Sequence, residues 1–270
     1  MRSVGFWSGL PRWCGLIALA AMAGCATPPE DPDARAEFEA ANDPLESLNR
    51  SIFAFNLGLD RAVLRPVAIG YRTVIPGPGR SMVRNFLDNL EAPVILANDV
   101  LQGSPDRAGV TLTRFIMNST LGIGGLRDPA TTVGLSQHDE DFGQTLGVWG
   151  VDAGPYFMLP VLGPSPPRET VGLVVDYFLD PVAYILDNQD AEWLSYVRFG
   201  VRAVDSRSSL IETLDEIERT SIDFYATIRS LYRQRRMDEI RNGEPSEMPM
   251  MPEITFEDGD GVDKLSSATE

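Results

Sequence analysis

The chain's only histidine, His138, sits directly before three acids, Asp139, Glu140 and Asp141. A metal centre would need a second histidine or further ligands at set spacing, and none accompanies it, so the run reads as a solvated acidic loop. A Ser–His–Asp triad would have to use the same histidine, and nothing marks a serine as its partner. The chain has no Gly-x-Ser-x-Gly elbow and no Walker loop. Gly122-Ile-Gly124-Gly125 lacks the spacing and the strand–helix setting of a dinucleotide loop. These residue types argue against an enzyme. Arg114, within Leu-Thr-Arg-Phe-Ile-Met, lies on an otherwise apolar helix. There it either holds a phosphate through two parallel hydrogen bonds or pairs with an acid of the same chain.

One residue does suggest covalent chemistry. Arg2 and Arg12 flank a basic start, Leu16 to Met22 is a short apolar core, and Ala23-Gly24-Cys25 stands where a signal peptidase would cut. The arrangement resembles the lipobox of bacterial lipoproteins, whose first mature residue is an acylated cysteine. Cys14 would leave with the signal, so Cys25 would be the one mature cysteine and no intrachain disulfide could form. A thioether-linked lipid would also cap a thiol exposed to an oxidising compartment. Ala26, in place of an aspartate, resembles the signal for onward transport to the outer membrane.

The formal charge is −16, and the first 24 residues hold two arginines and no acid, so the remainder is more acidic still. That argues against non-specific nucleic-acid binding. It also means that membrane contact must come from acyl chains and apolar surface.

The elements that would position these residues are helices. Residues 25–42 are rich in proline and acid and read as a tether. Asp43-Pro44-Leu45-Glu46 reads as a helix start, and Leu45, Leu48, Ile52, Phe55, Leu59 and Val63 recur at helical spacing until Pro66, which should end or kink the helix. A second helix is expected between Pro78 and Pro93, and a third from Pro93 to Gln102, stopped by Gly103. Ser104-Pro105, Asp128-Pro129, Ser165-Pro166 and Asp180-Pro181 repeat the starting device. Val171 to Leu179 reads as helix, although a short buried strand over Val171–Val175 has the same apolar signature. Asp190 is expected to cap a further helix, and Ser209-x-x-Glu212 to open the longest one as a capping box. Residues 242–270 are acidic and contain proline and glycine, the composition of a disordered tail. No run beyond the signal reaches the roughly 20 apolar residues needed to span a bilayer.

Between Asn118 and Ser165 glycine is dense and charge sparse. Gly143/Gly147 and Gly150/Gly154 are four apart, so on a helix they would leave a smooth seam beside Phe142, Leu146 and Trp149. Phe53, Phe55 and Asn56, in Ile-Phe-Ala-Phe-Asn, read as core more readily than as lipid contacts.

Several of these segments carry a family resemblance. Asn42-Asp-Pro-Leu-Glu-Ser-Leu-Asn-Arg50, Phe53-Ala-Phe-Asn56, Leu64-Arg-Pro-Val-Ala68, Asn85-Phe-Leu-Asp-Asn-Leu90 and Leu101-Gln-Gly103 resemble the VacJ/MlaA family of outer-membrane lipoproteins. So do Arg114-Phe-Ile-Met-Asn-Ser-Thr-Leu-Gly-Ile-Gly-Gly125, Glu140-Asp-Phe-Gly-Gln-Thr-Leu-Gly147, Gly154-Pro-Tyr156 and Leu159-Pro-Val-Leu-Gly-Pro-Ser165 with Arg168. The resemblance covers Asn42 to about Asp187. It implies a mostly α, ring-shaped, monotopic domain over residues 43–241, anchored through Cys25 and embedded in the inner leaflet of the outer membrane. It further implies an amphipathic channel that removes misplaced phospholipid from the outer leaflet. The lipid would pass to a soluble periplasmic carrier and then to an inner-membrane ABC transport complex, with a trimeric porin as a further partner and no cofactor. Phe53, Phe55, Asn56, Arg114, Gly122, Gly124, Gly125, Phe142, Gly143, Gly147 and Trp149 are the candidates for the lipid path. A scaffold that binds porin without conducting lipid, and a phospholipid hydrolase, are the other readings.

Overall fold

The structure is a computed structural model that describes residues 42–242. The expected signal peptide, Cys25, the tether before Asn42 and the tail after Asn242 lie outside the described residues.

Helix α1 spans Glu46–Leu59 and continues through a π-helical turn, Asp60–Leu64, into α2, Arg65–Val74. Pro66 therefore does not end the helix. The backbone N–H of Arg65 bonds the carbonyl of Asp60 five residues back. This wider turn, just before the proline, makes room for a ring that would otherwise crowd the carbonyl four residues earlier. Nor does Asp43 cap α1: it is buried, and it accepts hydrogen bonds from Asn49, Tyr225 and Arg229.

Pro93, expected to divide two helices, lies inside a single one, α3, over Gly77–Leu101. An internal proline costs about 3 kcal/mol. Here α3 packs along α4 (Pro105–Thr120) and also meets α6 (Phe142–Val148) and α7 (Pro167–Leu179), so tertiary contact outweighs that loss. Gly103, at φ +73, turns the chain out of α3. The Asp-Pro starts behave as local chemistry dictates. Asp128 accepts from the N–H of Thr131 at the head of α5 (Pro129–Thr132), and Asp180 from that of Val182 at the head of α8 (Pro181–Asn188). Val171–Val175 is helical, within α7.

Two other expected caps are displaced. Asp190 has φ +55 and lies ahead of α9 (Trp193–Ser209), with Glu192 in the cap position. Ser209 closes α9 instead of opening a helix, and its hydroxyl donates to the carbonyl of Ser206. The long helix expected after it is split into α10 (Ile211–Thr220) and α11 (Phe224–Ile240), and the cap of α11 is Asp223, which accepts from the N–H of Ala226.

Among the described residues the one sheet is a two-stranded hairpin. Met158–Leu159 (β1) pairs antiparallel with Gly163–Pro164 (β2), Met158 opposite Pro164. One face of α1 holds it. Asn49 donates to the carbonyl of Tyr156 and accepts from the N–H of Met158 (3.1 and 3.0 Å), while Asn56 donates to Leu159 and accepts from Val161 (3.0 and 2.8 Å). The small hydrophobic core lies beside this clamp: Tyr156, Met158 and Tyr225, with Ile52, Phe53 and Tyr232 against them.

The elements close in a circuit. α2 packs on α9, α9 on α3, α3 on α6 and α7, and α6 on α11. The aromatic start of α11 then meets α1, where Phe53 contacts the rings of Phe224 and Tyr225 edge-on at 5.4 and 5.6 Å. Among the described residues, buried polar and charged side chains outnumber buried hydrophobic ones, while large apolar side chains are exposed on most helices. No described helix is long and apolar enough to cross a membrane.

Candidate functional site

Residues of α6, α7, α9, α11 and the hairpin, with the loop before α6, line an open cavity of about 470 Å³. Leu162, Leu173 and Phe199 form an apolar part of its wall; Asp139, Asp176 and a charged group on α6, α7 and α11 form the rest.

Arg236 of α11 is central to that group. Its two terminal nitrogens bind both oxygens of Asp141 at 2.7 and 2.6 Å; one also bonds Glu169, and the other reaches Glu239 at 3.0 Å. Burial opposes the charge on Arg236, but the bonds to Asp141 and Glu169 outweigh it and hold the guanidinium protonated far above its usual range. Asp141 shows the converse. Burial favours its neutral form, and Arg236 together with the N–H of Gln144 overcomes this, leaving the carboxyl below its ordinary value. Asp141 is placed for this role because it caps α6, accepting from the Gln144 N–H at 2.9 Å. Glu169 is further held by Arg168 at 2.6 and 3.0 Å, and Arg168 also donates to the carbonyl of Val151. Asp176 is raised by burial, although the N–H of Phe142 and the amide of Asn98 donate to it.

A close backbone approach makes this wall possible. A Cβ on Gly172 of α7 would lie 2.4 Å from the backbone nitrogen of Gly143 and 2.8 Å from its Cα. The two helices cross there with no side chain between them.

The glycines read from the sequence as one seam divide differently. Gly143 and Gly147 lie on α6, but Gly150 and Gly154 follow it with φ +86 and +76, because α6 ends at Val148. A Cβ on Gly143 would meet Glu169 and Arg236, and one on Gly147 would meet the tip of Ile240 and Arg168. Phe142 and Trp149 touch edge-on at 5.8 Å, and the indole N–H of Trp149 donates to the carbonyl of Leu101.

The remaining candidates lie elsewhere. Arg114 is buried. It binds Asp128 at 2.8 Å and also bonds Thr131, Gln137 and the carbonyl of Leu135, so the acid-paired alternative is the one realised. Beside it, Gly122 and Gly125 pack so closely that a Cβ on either would strike Asn118 and Arg127 or Asn89, while Gly124 faces open space. Phe53 is in the core, Phe55 points outward at 56% exposure, and Asn56 serves the hairpin. The structure thus gathers the candidates into three groups; none of them lines the 470 Å³ cavity, while Phe53 and Asn56 line a larger one of about 680 Å³ between α1, α10 and α11.

The reading of His138 as solvated is overturned. Its Nε2 lies 3.0 and 3.1 Å from the Asp99 carboxylate and 3.2 Å from the Thr111 hydroxyl, with 16% of the side chain exposed. Glu140 is buried against Arg107 and Gln102. This is a polar network joining α3, α4 and the loop before α6. Among the described residues no cluster of histidine, cysteine and acid could hold a metal ion.

Sequence reasoning missed Arg236, Glu169, Asp176 and Gly172. Asp141-x-x-Gln144 is a cap signal that pointed to the start of α6. Nothing local distinguishes Arg236 from Arg233 or Arg235.

Helices that bury charged side chains and leave large apolar ones exposed have the surface of a membrane-associated protein. The comparisons give that class a family. The MlaA lipoprotein family model matches residues 41–239, and the chain belongs to that family. It is 36% identical to the intermembrane phospholipid transport system lipoprotein MlaA of Escherichia coli, over 84% of this chain and 88% of that protein. The protein of the same name from Haemophilus influenzae is 34% identical, over 84% of this chain and 89% of its own length. An uncharacterized protein of Rickettsia bellii is 40% identical, over 72% of this chain and 75% of its own. A solved structure described as the structural basis for maintenance of bacterial outer membrane lipid asymmetry superposes with a TM-score of 0.67 at 36% identity, covering 73% of this chain and 98% of that one.

Proposed function

We propose that this protein takes part in phospholipid transport between the membranes of a bacterial envelope and so maintains the lipid asymmetry of the outer one. In this reading it is anchored through Cys25, lies in the inner leaflet of the outer membrane, and draws misplaced phospholipid from the outer leaflet through the cavity lined by α6, α7, α9 and α11. A soluble periplasmic carrier that feeds an inner-membrane ABC complex receives the lipid, and a trimeric porin holds the protein in place. No bond is made or broken in the lipid.

The observation that carries this reading is the inverted burial. Val171, Val174, Tyr177 and Phe178 of α7, Tyr184 and Ile185 of α8, and Trp193, Tyr196 and Val197 of α9 are all exposed, while Asp99, Glu140, Arg168, Glu169, Asp205 and Arg207 are buried. In water such apolar surface would be a liability; against lipid tails it is the stable face. A phospholipid crosses hydrocarbon slowly because its charged head must be desolvated. A wall carrying Leu173 and Phe199 beside the Asp141–Arg236–Glu169 group offers the tail and the head separate surfaces and lowers that barrier.

The test is complementation of a strain that lacks its own family member, with surface-exposed phospholipid as the readout. The protein should restore asymmetry. Leu173→Trp, which fills the cavity, should reach the membrane and fail to restore it. Full restoration by Leu173→Trp would favour the scaffold reading, and fatty acid released by purified protein would favour a hydrolase. Cys25→Ser should leave the protein mislocalised or unprocessed.

A further inference from the structure

A further, smaller cleft lies on another part of the molecule, where α2 turns into α3 and meets the junction of α9 and α10. It has a volume of about 360 Å³, and its wall includes Arg72, Gly77, Arg80, Arg84 and Glu212. It shares no lining residue with the 470 Å³ cavity.

Three guanidinium groups meet here in a chain whose formal charge is −16. Arg72 uses one terminal nitrogen for Glu212 (2.7 and 2.9 Å) and the carbonyl of Ser208, and Arg84 gives its Nε to Asp205 at 2.9 Å. Both keep N–H groups for a further acceptor. Arg80 has no carboxylate partner among the described residues. Its guanidinium lies about 4 Å from where a Cβ on Gly77 would sit, over the first turn of α3. Arg80 and Arg84 are four apart on α3 and so share a face. Two carboxylates, Glu212 and Asp205, oppose three arginines, and each is already bonded to one of them.

The backbone adds to the charge. α3 is 25 residues long, and Gly77 and Gly79 in its first turn have N–H groups with no partner within the helix. A proline between them contributes no donor. Exposed apolar side chains stand close by in sequence: Val74, two residues from Arg72, is 79% exposed, and Leu210, next to Ser209, is 43% exposed.

We propose that this cleft binds a phosphate oxyanion, and that the phosphate is carried by an anionic lipid. Arginine forks match tetrahedral phosphate oxygens, and a helix start complements their charge. A free phosphate would use the same donors but would gain nothing from Val74 and Leu210; a lipid phosphate at an interface would use both. The site is independent of the transport reading, because lipid could move through the 470 Å³ cavity with this cleft empty.

The experiment uses the full chain in an uncharged detergent, titrated calorimetrically with dihexanoyl phosphatidic acid, dihexanoyl phosphatidylcholine and inorganic phosphate. Phosphatidic acid should bind saturably and weaken with added salt. Arg80→Glu should weaken it by about tenfold or more, the scale of one lost charge-assisted bond. Arg80→Gln should weaken it less. Arg127→Glu makes the same charge change at an exposed position outside the cleft and should leave binding unaltered. Arg80 has no ion pair to break among the described residues, so unchanged circular dichroism is expected in its variants. Equal binding of inorganic phosphate and phosphatidic acid would overturn the lipid assignment. Equal binding by wild type and Arg80→Glu, or saturable binding of phosphatidylcholine at the same strength, would overturn the site.

Discussion

Arg236 shows how one side chain can organise a wall. It links Asp141, which caps α6 and keeps 38% of its side chain exposed, to Glu169 on α7, which is buried. Removing one partner from such a group costs more than the pair contributes, because the remaining charges lose their compensation. Arg236→Met should therefore lower unfolding free energy by about 3 kcal/mol, less if water reaches Asp141. Denaturant unfolding in detergent checks this. The pH dependence has a defined sign. Asp141 has a depressed folded value, so its contribution is complete above the ordinary carboxylate value of about 4 and drains away as pH falls below it. Asp141→Asn should flatten that acid limb; an unchanged limb would show that other carboxylates dominate it.

At the scale of elements the crossing of α6 and α7 is the tightest contact. Gly147 faces the flexible tip of Ile240, which can move aside, whereas Gly172 faces the backbone of Gly143, which cannot. The two glycines should therefore respond differently. Gly172→Ala should cost about 1–3 kcal/mol and part the two helices, while Gly147→Ala should be nearly silent in thermal unfolding. If lipid asymmetry fails in Gly172→Ala in step with the loss of folded protein, the crossing serves packing alone. Failure at normal protein levels would tie the crossing to the width of the cavity.

The whole molecule has an unusual division of surface. Among the described residues, Phe178 is 73% exposed and Tyr184 69%, on neighbouring helices α7 and α8. Burying a large apolar side chain in lipid contributes about 1.5–3 kcal/mol. In a Cys25→Ser background, which removes the proposed acyl anchor, Phe178→Asp should shift it measurably from the membrane to the soluble fraction in vesicle flotation. Its helix content should stay the same, because Phe178 packs little against the protein. Unchanged flotation would place α7 and α8 away from the bilayer.

Sequence alone determined the helical class and several element starts, because these depend on near neighbours. Asp128-Pro129 and Asp180-Pro181 begin helices through a carboxylate two or three residues from the N–H it caps, whatever the rest of the chain does. The family-bearing segments were also legible as text. Pro66 and Pro93 were not, since a turn of π-helix and packing along α3 decide whether a proline stops a helix. The partners of Arg236 and His138 were hidden for the same reason: Arg236 and Asp141 are 95 residues apart, and His138 and Asp99 are 39 apart. Above all, an apolar stripe at helical spacing is the same pattern whether it faces protein or lipid. Only the tertiary structure left the apolar stripes of α7 to α9 exposed and buried many of the carboxylates and arginines, because only there does each buried charge meet the partner that offsets its desolvation.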